Sequence, residues 1–185
     1  MPIMYKIREI IGDKKQLHVQ VTASDTEDMI KEAEYITKNL GMDTYIKVPT
    51  NETGIKTIKL LKTSGYNVTA TAIYTVQQAL LASSVGADYV APYINRMYNN
   101  NCDAMEAVSD MADLFITHGK ETKILAASFK NTNQILGAFL AGSHAATASP
   151  DLYTMMVTSP LVDAAIKTFD DDWKNLYGDK RIYEF

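Results

Sequence analysis

In TYIKVP (44–49), Ile46 and Val48 alternate with Tyr45 and Lys47, and Pro49 closes the run. Alternation of this kind marks a β-strand with two unlike faces. A lysine there loses water, so either the strand lies at a sheet edge or the amine has a task. The same division recurs in both directions along the chain. In LHVQVTA (17–23), Leu17, Val19 and Val21 alternate with His18, Gln20 and Thr22. In NVTATAIY (67–74), Thr69 and Thr71 oppose Val68 and Ala70. In ADYVAPYI (87–94), Tyr89 and Tyr93 oppose Val90 and Pro92. KILAAS (123–128) and HAATAS (144–149) read as a fifth and a sixth strand.

Amphipathic segments separate the strands. A helix from about Thr26 carries Met29, Ile30, Ala33 and Ile36 and stops near Gly41. Asn51 can cap the next helix, whose stripe is Ile55, Ile58 and Leu61 and whose stop is Gly65. TVQQALLASSVG ends at Gly86, a fourth helix runs from about Asp103 to Thr117 after the loop NRMYNNN, and Asn131 caps TNQILGAFLAG. A last helix opens at Ser159-Pro160, with Val162, Ile166, Phe169 and Trp173 on one face. The tail YGDKRIYEF looks made to leave the domain.

Strict alternation of strand and helix predicts a parallel sheet covered by helices. An open sheet covered on both faces calls for continuously aliphatic strands. Here one face is aliphatic and the other polar or small, which a barrel requires: one face meets the helices and the other the barrel centre. No linker or compositional change divides the chain, so a single domain over 1–185 is expected.

The 185 residues suffice for a sizeable core. A net charge of −4 without a basic run argues against a nucleic-acid partner. The single cysteine, Cys102, excludes an internal disulfide and fits a reducing compartment. No apolar run approaches bilayer-spanning length and no signal-peptide pattern opens the chain, so a cytoplasmic protein away from membranes is expected.

The polar face near each strand end supplies Gln20, Lys47, Thr71, Tyr93 and Ser128. In a parallel barrel these ends share one mouth, where active sites form. The set holds no carboxylate pair and no metal-ligand cluster. It suits a lysine that condenses with a carbonyl, which requires the neutral amine. A free lysine has a pKa of about 10.4, and burial lowers it. Tyr93 can exchange a proton with a substrate oxygen, and Gln20 and Thr71 can hold a water. Taken singly, Gln20, Thr71 and Ser128 also read as satisfied interior polar groups, and Tyr93 as a core aromatic. Arg96, Ser128 and the helix starting near Asn131 make a candidate phosphate site, and Arg96 taken singly also reads as a surface ion pair. His18 reads as barrel filling, and His118 and His144 as loop or helix-end residues.

YIKVPTNETGIKTIKLLKTSGYNVTATAIYTVQQALLA, GADYVAPYINR, KILAASFKN and SPLVDAAIKTFDDDW together resemble the small transaldolase family, and within it the fructose-6-phosphate aldolase branch. The likeness runs from about Lys6 to Trp173. It implies a (β/α) barrel of class I aldolase type that uses no metal or organic cofactor. The family's Schiff-base lysine falls on Lys47. Its water-positioning glutamine, threonine and tyrosine fall on Gln20, Thr71 and Tyr93, and its phosphate contacts on Arg96 and Ser128. Gln20 and Tyr93 stand where transaldolases usually carry glutamate and phenylalanine, which points to the aldolase branch. The implied substrate is a phosphorylated ketose such as fructose 6-phosphate. The implied assembly is a pentamer-based homo-oligomer in which the helix over 159–176 packs on a neighbour.

The family's opening strand with its catalytic aspartate, and a following strand ending in a TTNPS-like motif, have no counterpart in this sequence. The expectation is therefore a TIM barrel lacking its first two strands, with roughly six βα units and an N-terminus that is incomplete. Two unpaired edges, at LHVQV and HAATA, follow from that. Weak or no turnover is expected without the aspartate. The alternative is a non-catalytic remnant or assembly protein that keeps the scaffold.

Overall fold

The computed structural model describes residues 2–185. The chain forms two compact units, one running to Ala148 and the other spanning Ser149–Phe185.

The first unit holds one six-stranded parallel sheet whose spatial order is the chain order. The strands are β1 (His18–Gln20), β2 (Tyr45–Pro49), β3 (Asn67–Ile73), β4 (Tyr89–Pro92), β5 (Lys123–Ala127) and β6 (Ala145–Thr147). Helix α1 (Pro2–Ile11) precedes them. Between them lie α2 (Thr26–Leu40), α3 (Glu52–Thr63), α4 (Val76–Ser84), α5 (Ile94–Asn99), α6 (Ala104–Thr117) and α7 (Thr132–Leu140). This is an α/β half-barrel, as the strand faces predict. The helix-facing residues Ile46, Val48, Val68, Ala70, Val90, Ile124 and Ala126 are all fully buried. They join Met29, Ile58, Leu61 and Met111 from the helices in one core. Sequestering that apolar area holds the layers together.

The end strands are short. The expected 17–23 and 144–149 shrink to three residues each. Each has one ladder partner only, so fewer backbone pairs are available.

Local chemistry sets the helix ends. Asp25, Asn51, Asp103 and Asn131 each accept hydrogen bonds from the first turn of the helix that follows. At the end of α3, Gly65 (φ 82°) donates to the Lys62 carbonyl and Tyr66 to that of Leu61. This left-handed stop needs a residue without Cβ. Two helices go beyond the sequence reading. The supposed loop NRMYNNN begins with α5, which buries Ile94 and Met97, so Arg96 stands on a helix. HAATAS runs into α8 (Pro150–Val157), opened by Ser149-Pro150 just as Ser159-Pro160 opens the last helix.

The second unit comprises α8, α9 (Pro160–Tyr177) and a short 3-10 turn at Ile182–Glu184. Its tail folds back instead of leaving. Trp173 Nε1 donates to the Lys180 carbonyl at 2.6 Å, and the Phe185 ring lies 5.3 Å from that of Tyr177. Phe169 and Ile166 on α9 stay exposed. Among the described residues no helix is long and apolar enough to cross a membrane.

Candidate active site

Lys47 occupies the middle of β2, between the fully buried Ile46 and Val48. It lines an inner cavity of about 330 Å³ with Gln16, His18, Leu125, Ala146 and Thr147. Burial lowers its amine pKa from the ordinary 10.5, because an ammonium there loses hydration. His18 stands in the same cavity. Its ring stacks on Tyr45 at 4.6 Å, and its Nδ1 lies 2.9 Å from Thr69 Oγ1. Burial first, and the Lys47 charge second, push its pKa down to about 4. His18 is therefore a neutral ring beside the amine, more than the filling its spacing suggests.

Pairing in register extends the site toward the carboxyl ends of the strands. Lys47 pairs with Gln20 on one side and Thr69 on the other, and Thr71 lies one inward step further along β3. Thr71 is fully buried and its carbonyl accepts from both Thr50 N and Thr50 Oγ1, each at 2.9 Å. Its hydroxyl meets the Tyr93 hydroxyl at 3.1 Å. Tyr93 follows β4, donates its backbone N–H to the Ile73 carbonyl, and bridges Ala127.

Tyr93 leads to the cation. The Arg96 guanidinium lies over the Tyr93 ring, 4.9 Å from its centroid, and Arg96 Nη1 donates to Tyr74 Oη at 3.4 Å. Ser128 is adjacent through the backbone: Asn95 N–H donates to the Ser128 carbonyl at 2.8 Å. Ser128 itself takes a left-handed backbone (φ 63°) between β5 and the cap at Asn131. Contacts link the expected residues in part: Gln20–Lys47 by register, Thr71–Tyr93 by hydrogen bond and Tyr93–Arg96 by stacking, while Ser128 is tied through the backbone to Asn95, the residue before Arg96.

Gln20 is the loosest member. It is exposed, because among the described residues no strand pairs with the outer side of β1. Behind it, Glu32 accepts from Thr22 N, Thr22 Oγ1 and Ala23 N and fixes the exit of β1. His118 caps α6, and His144 Nδ1 accepts from Ile124 N. Cys102 is exposed.

A larger hollow of about 670 Å³ opens at the amino ends of the strands, between Gly86, Asp88, Gly119 and Glu121. Asp88, the central carboxylate of the hollow, is already engaged by Lys62 Nζ at 2.7 Å and by Val68 N–H. Polar groups of parallel barrels converge at the carboxyl ends. On the strands and their carboxyl-end turns the chain carries an amine biased toward its neutral form, a phenol–hydroxyl pair and a guanidinium.

Comparison with known proteins bears on the family and the fold. Residues 1–180 match the family model described as Transaldolase/Fructose-6-phosphate aldolase. A curated relative from Streptococcus pneumoniae, "Probable fructose-6-phosphate aldolase", is 46% identical over 167 residues, covering 90% of this chain and 75% of the relative. Among solved structures, inosine 5' monophosphate dehydrogenase from Legionella pneumophila superposes with a TM-score of 0.59 at 18% identity. That match covers 82% of this chain and 49% of the other, so the chain spans about half its length, and the likeness is one of fold alone. With Lys47 in the lumen and the family model matched over nearly the whole length, the chain belongs to the transaldolase/fructose-6-phosphate aldolase family, whose members are aldolase- and transaldolase-type enzymes.

Proposed function

We propose that the protein is a Schiff-base aldolase acting on a phosphorylated ketose such as fructose 6-phosphate. The observation that carries this reading is the desolvated Lys47 amine in the inner cavity, on the strand paired with β3, whose Thr71 hydroxyl meets that of Tyr93. Neutral Lys47 Nζ adds to the C2 carbonyl, and loss of water gives a protonated imine. Tyr93, directly or through a water held by Thr71 and Gln20, takes the proton of the C4 hydroxyl. The C3–C4 bond then breaks. Its electron pair moves to the imine to form an enamine, and an aldose phosphate leaves. Protonation of C3 and hydrolysis free dihydroxyacetone and restore the amine. If a second aldehyde captures the enamine instead, the same steps transfer the dihydroxyacetone unit. Arg96 and Ser128 hold the phosphate, with the N-terminus of α7 adding favourable dipole.

Family membership favours this reading over a scaffold without catalysis. The exposed α9 face of Ile166 and Phe169 supports assembly with copies of the chain, and the pentamer-based ring is proposed from the family resemblance alone. Borohydride reduction in the presence of dihydroxyacetone, followed by peptide mass spectrometry, tests the chemistry without requiring turnover. An adduct on Lys47, absent in Lys47→Met, is expected. A folded sample in which Lys47 stays unmodified overturns the proposal.

A further inference from the structure

The third strand breaks its own alternation just before the site. Thr71 faces inward, so Ile73 should also face inward and Tyr74 outward. The register between β3 and β4 shifts between Ala70 and Ile73, and Ala72 takes a left-handed backbone (φ 56°). This bulge inverts the faces beyond it. Ile73 joins the helix-side core with no exposure, and Tyr74 turns toward Tyr93 and Arg96. Bulges beside functional sites commonly re-aim one side chain. A left-handed alanine is an uncommon backbone state, and here it does that.

The re-aimed residue is firmly seated. Tyr74 N–H donates to Gln78 Oε1 at 2.8 Å, within the capping box that opens α4, and Gln78 Nε2 reaches the Thr50 carbonyl. The phenol of Tyr74 accepts from Arg96 Nη1, and its ring meets that of Tyr93 edge-on at 5.8 Å. Arg96 is therefore held on two sides, by one hydroxyl and one aromatic face. A long, exposed side chain without such partners loses rotamer entropy whenever it orders on a ligand.

We infer that Tyr74 is a positioning residue that pre-sets Arg96 for the phosphate of the substrate and so biases the enzyme toward phosphorylated ketoses. The inference rests on the reading of Arg96 as a phosphate contact. A preset guanidinium presents its fork to the anion at lower ordering cost. Dihydroxyacetone, which carries no phosphate, gains nothing from it.

The test measures borohydride-trapped Lys47 adduct against concentration for fructose 6-phosphate and for dihydroxyacetone, in the wild type, Tyr74→Phe and Arg96→Ala. Phenylalanine keeps the ring against Tyr93 and removes only the hydroxyl. Tyr74→Phe should raise the half-saturating fructose 6-phosphate concentration about five- to tenfold, the worth of one ordinary net hydrogen bond, and leave that of dihydroxyacetone unchanged. No change with either donor overturns the inference, as does an equal change with both, which marks a merely structural ring. Arg96→Ala separates the two levels. If it weakens fructose 6-phosphate capture while Tyr74→Phe does not, the Tyr74 role alone is wrong. If it leaves that capture unchanged, Arg96 is not the phosphate contact and the inference falls with that reading.

Discussion

Replacing Gly54 with alanine sets two physical effects against each other at the strand that carries Lys47. Gly54 is buried in the first turn of α3, and its N–H donates to the Asn51 cap at 2.8 Å. A Cβ there would sit 1.7 Å from the Pro49 carbonyl oxygen and 3.0 Å from its carbon. Both are backbone atoms and cannot swing away. Relief to an ordinary contact of 3.4 Å requires the first turn to retreat by roughly 1.7 Å from the end of β2. That retreat pulls against the cap, worth about 1 kcal/mol, and strains a core region, where overpacking costs about 1–3 kcal/mol. Alanine's better helix propensity returns only about 1 kcal/mol. The net expectation is a loss of about 1–3 kcal/mol, read by circular dichroism as a urea midpoint roughly 1 M lower at an unchanged slope. Pro49 is two residues from Lys47, so Lys47 capture of dihydroxyacetone should slow as well. A midpoint that stays put or rises would refute the reasoning, because it would mean that propensity outweighs the contact.

Three further outcomes follow from the same geometry. His18 titrates near 4 in the folded chain and near 6.5 unfolded. The unfolded chain thus binds the extra proton first, and stability falls as pH drops from about 6.5 toward 4. The full difference caps at ~3 kcal/mol, and partial exposure cuts it to about 1–2 kcal/mol. Urea midpoints at pH 7.5 and 4.5 should converge in His18→Phe relative to the wild type, and an identical pH dependence in both contradicts the assignment. Thr71→Val removes the hydroxyl facing Tyr93 while keeping shape, so adduct capture should persist while any fructose 6-phosphate cleavage drops about tenfold or more. Equal cleavage in both proteins counts against Thr71 as part of the proton path. Phe169→Asp, on the exposed α9 face, should shift light-scattering mass to smaller species, and an unchanged mass argues against α9 as a subunit contact.

The architecture was legible because its signals are local. The alternation of Tyr45-Ile46-Lys47-Val48 reports two unlike environments, and caps such as Asn51 and Asn131 announce helix starts through a single side-chain bond. Lys47 stood out because a lysine between buried aliphatics needs a reason. Other features stayed hidden. The bulge at Ala72 carries no glycine to mark its left-handed backbone, so NVTATAIY reads as an ordinary strand and Tyr74 as its outward end. The neighbourhood of His18 depends on partners 27 to 71 positions away in sequence, Tyr45, Thr69 and Tyr89, which only the register brings together. Helix α5 was missed for a third reason: its asparagines favour loops, and the burial of Ile94 and Met97 overrides that preference.

The most direct measurement is a crystal structure of the protein after borohydride reduction with fructose 6-phosphate. Electron density should run unbroken from Lys47 Nζ to the sugar's C2 inside the half-barrel, with the phosphate between Arg96 and Ser128. Density joined to another lysine, or a Lys47 amine turned away from the cavity that His18 lines, would contradict the account.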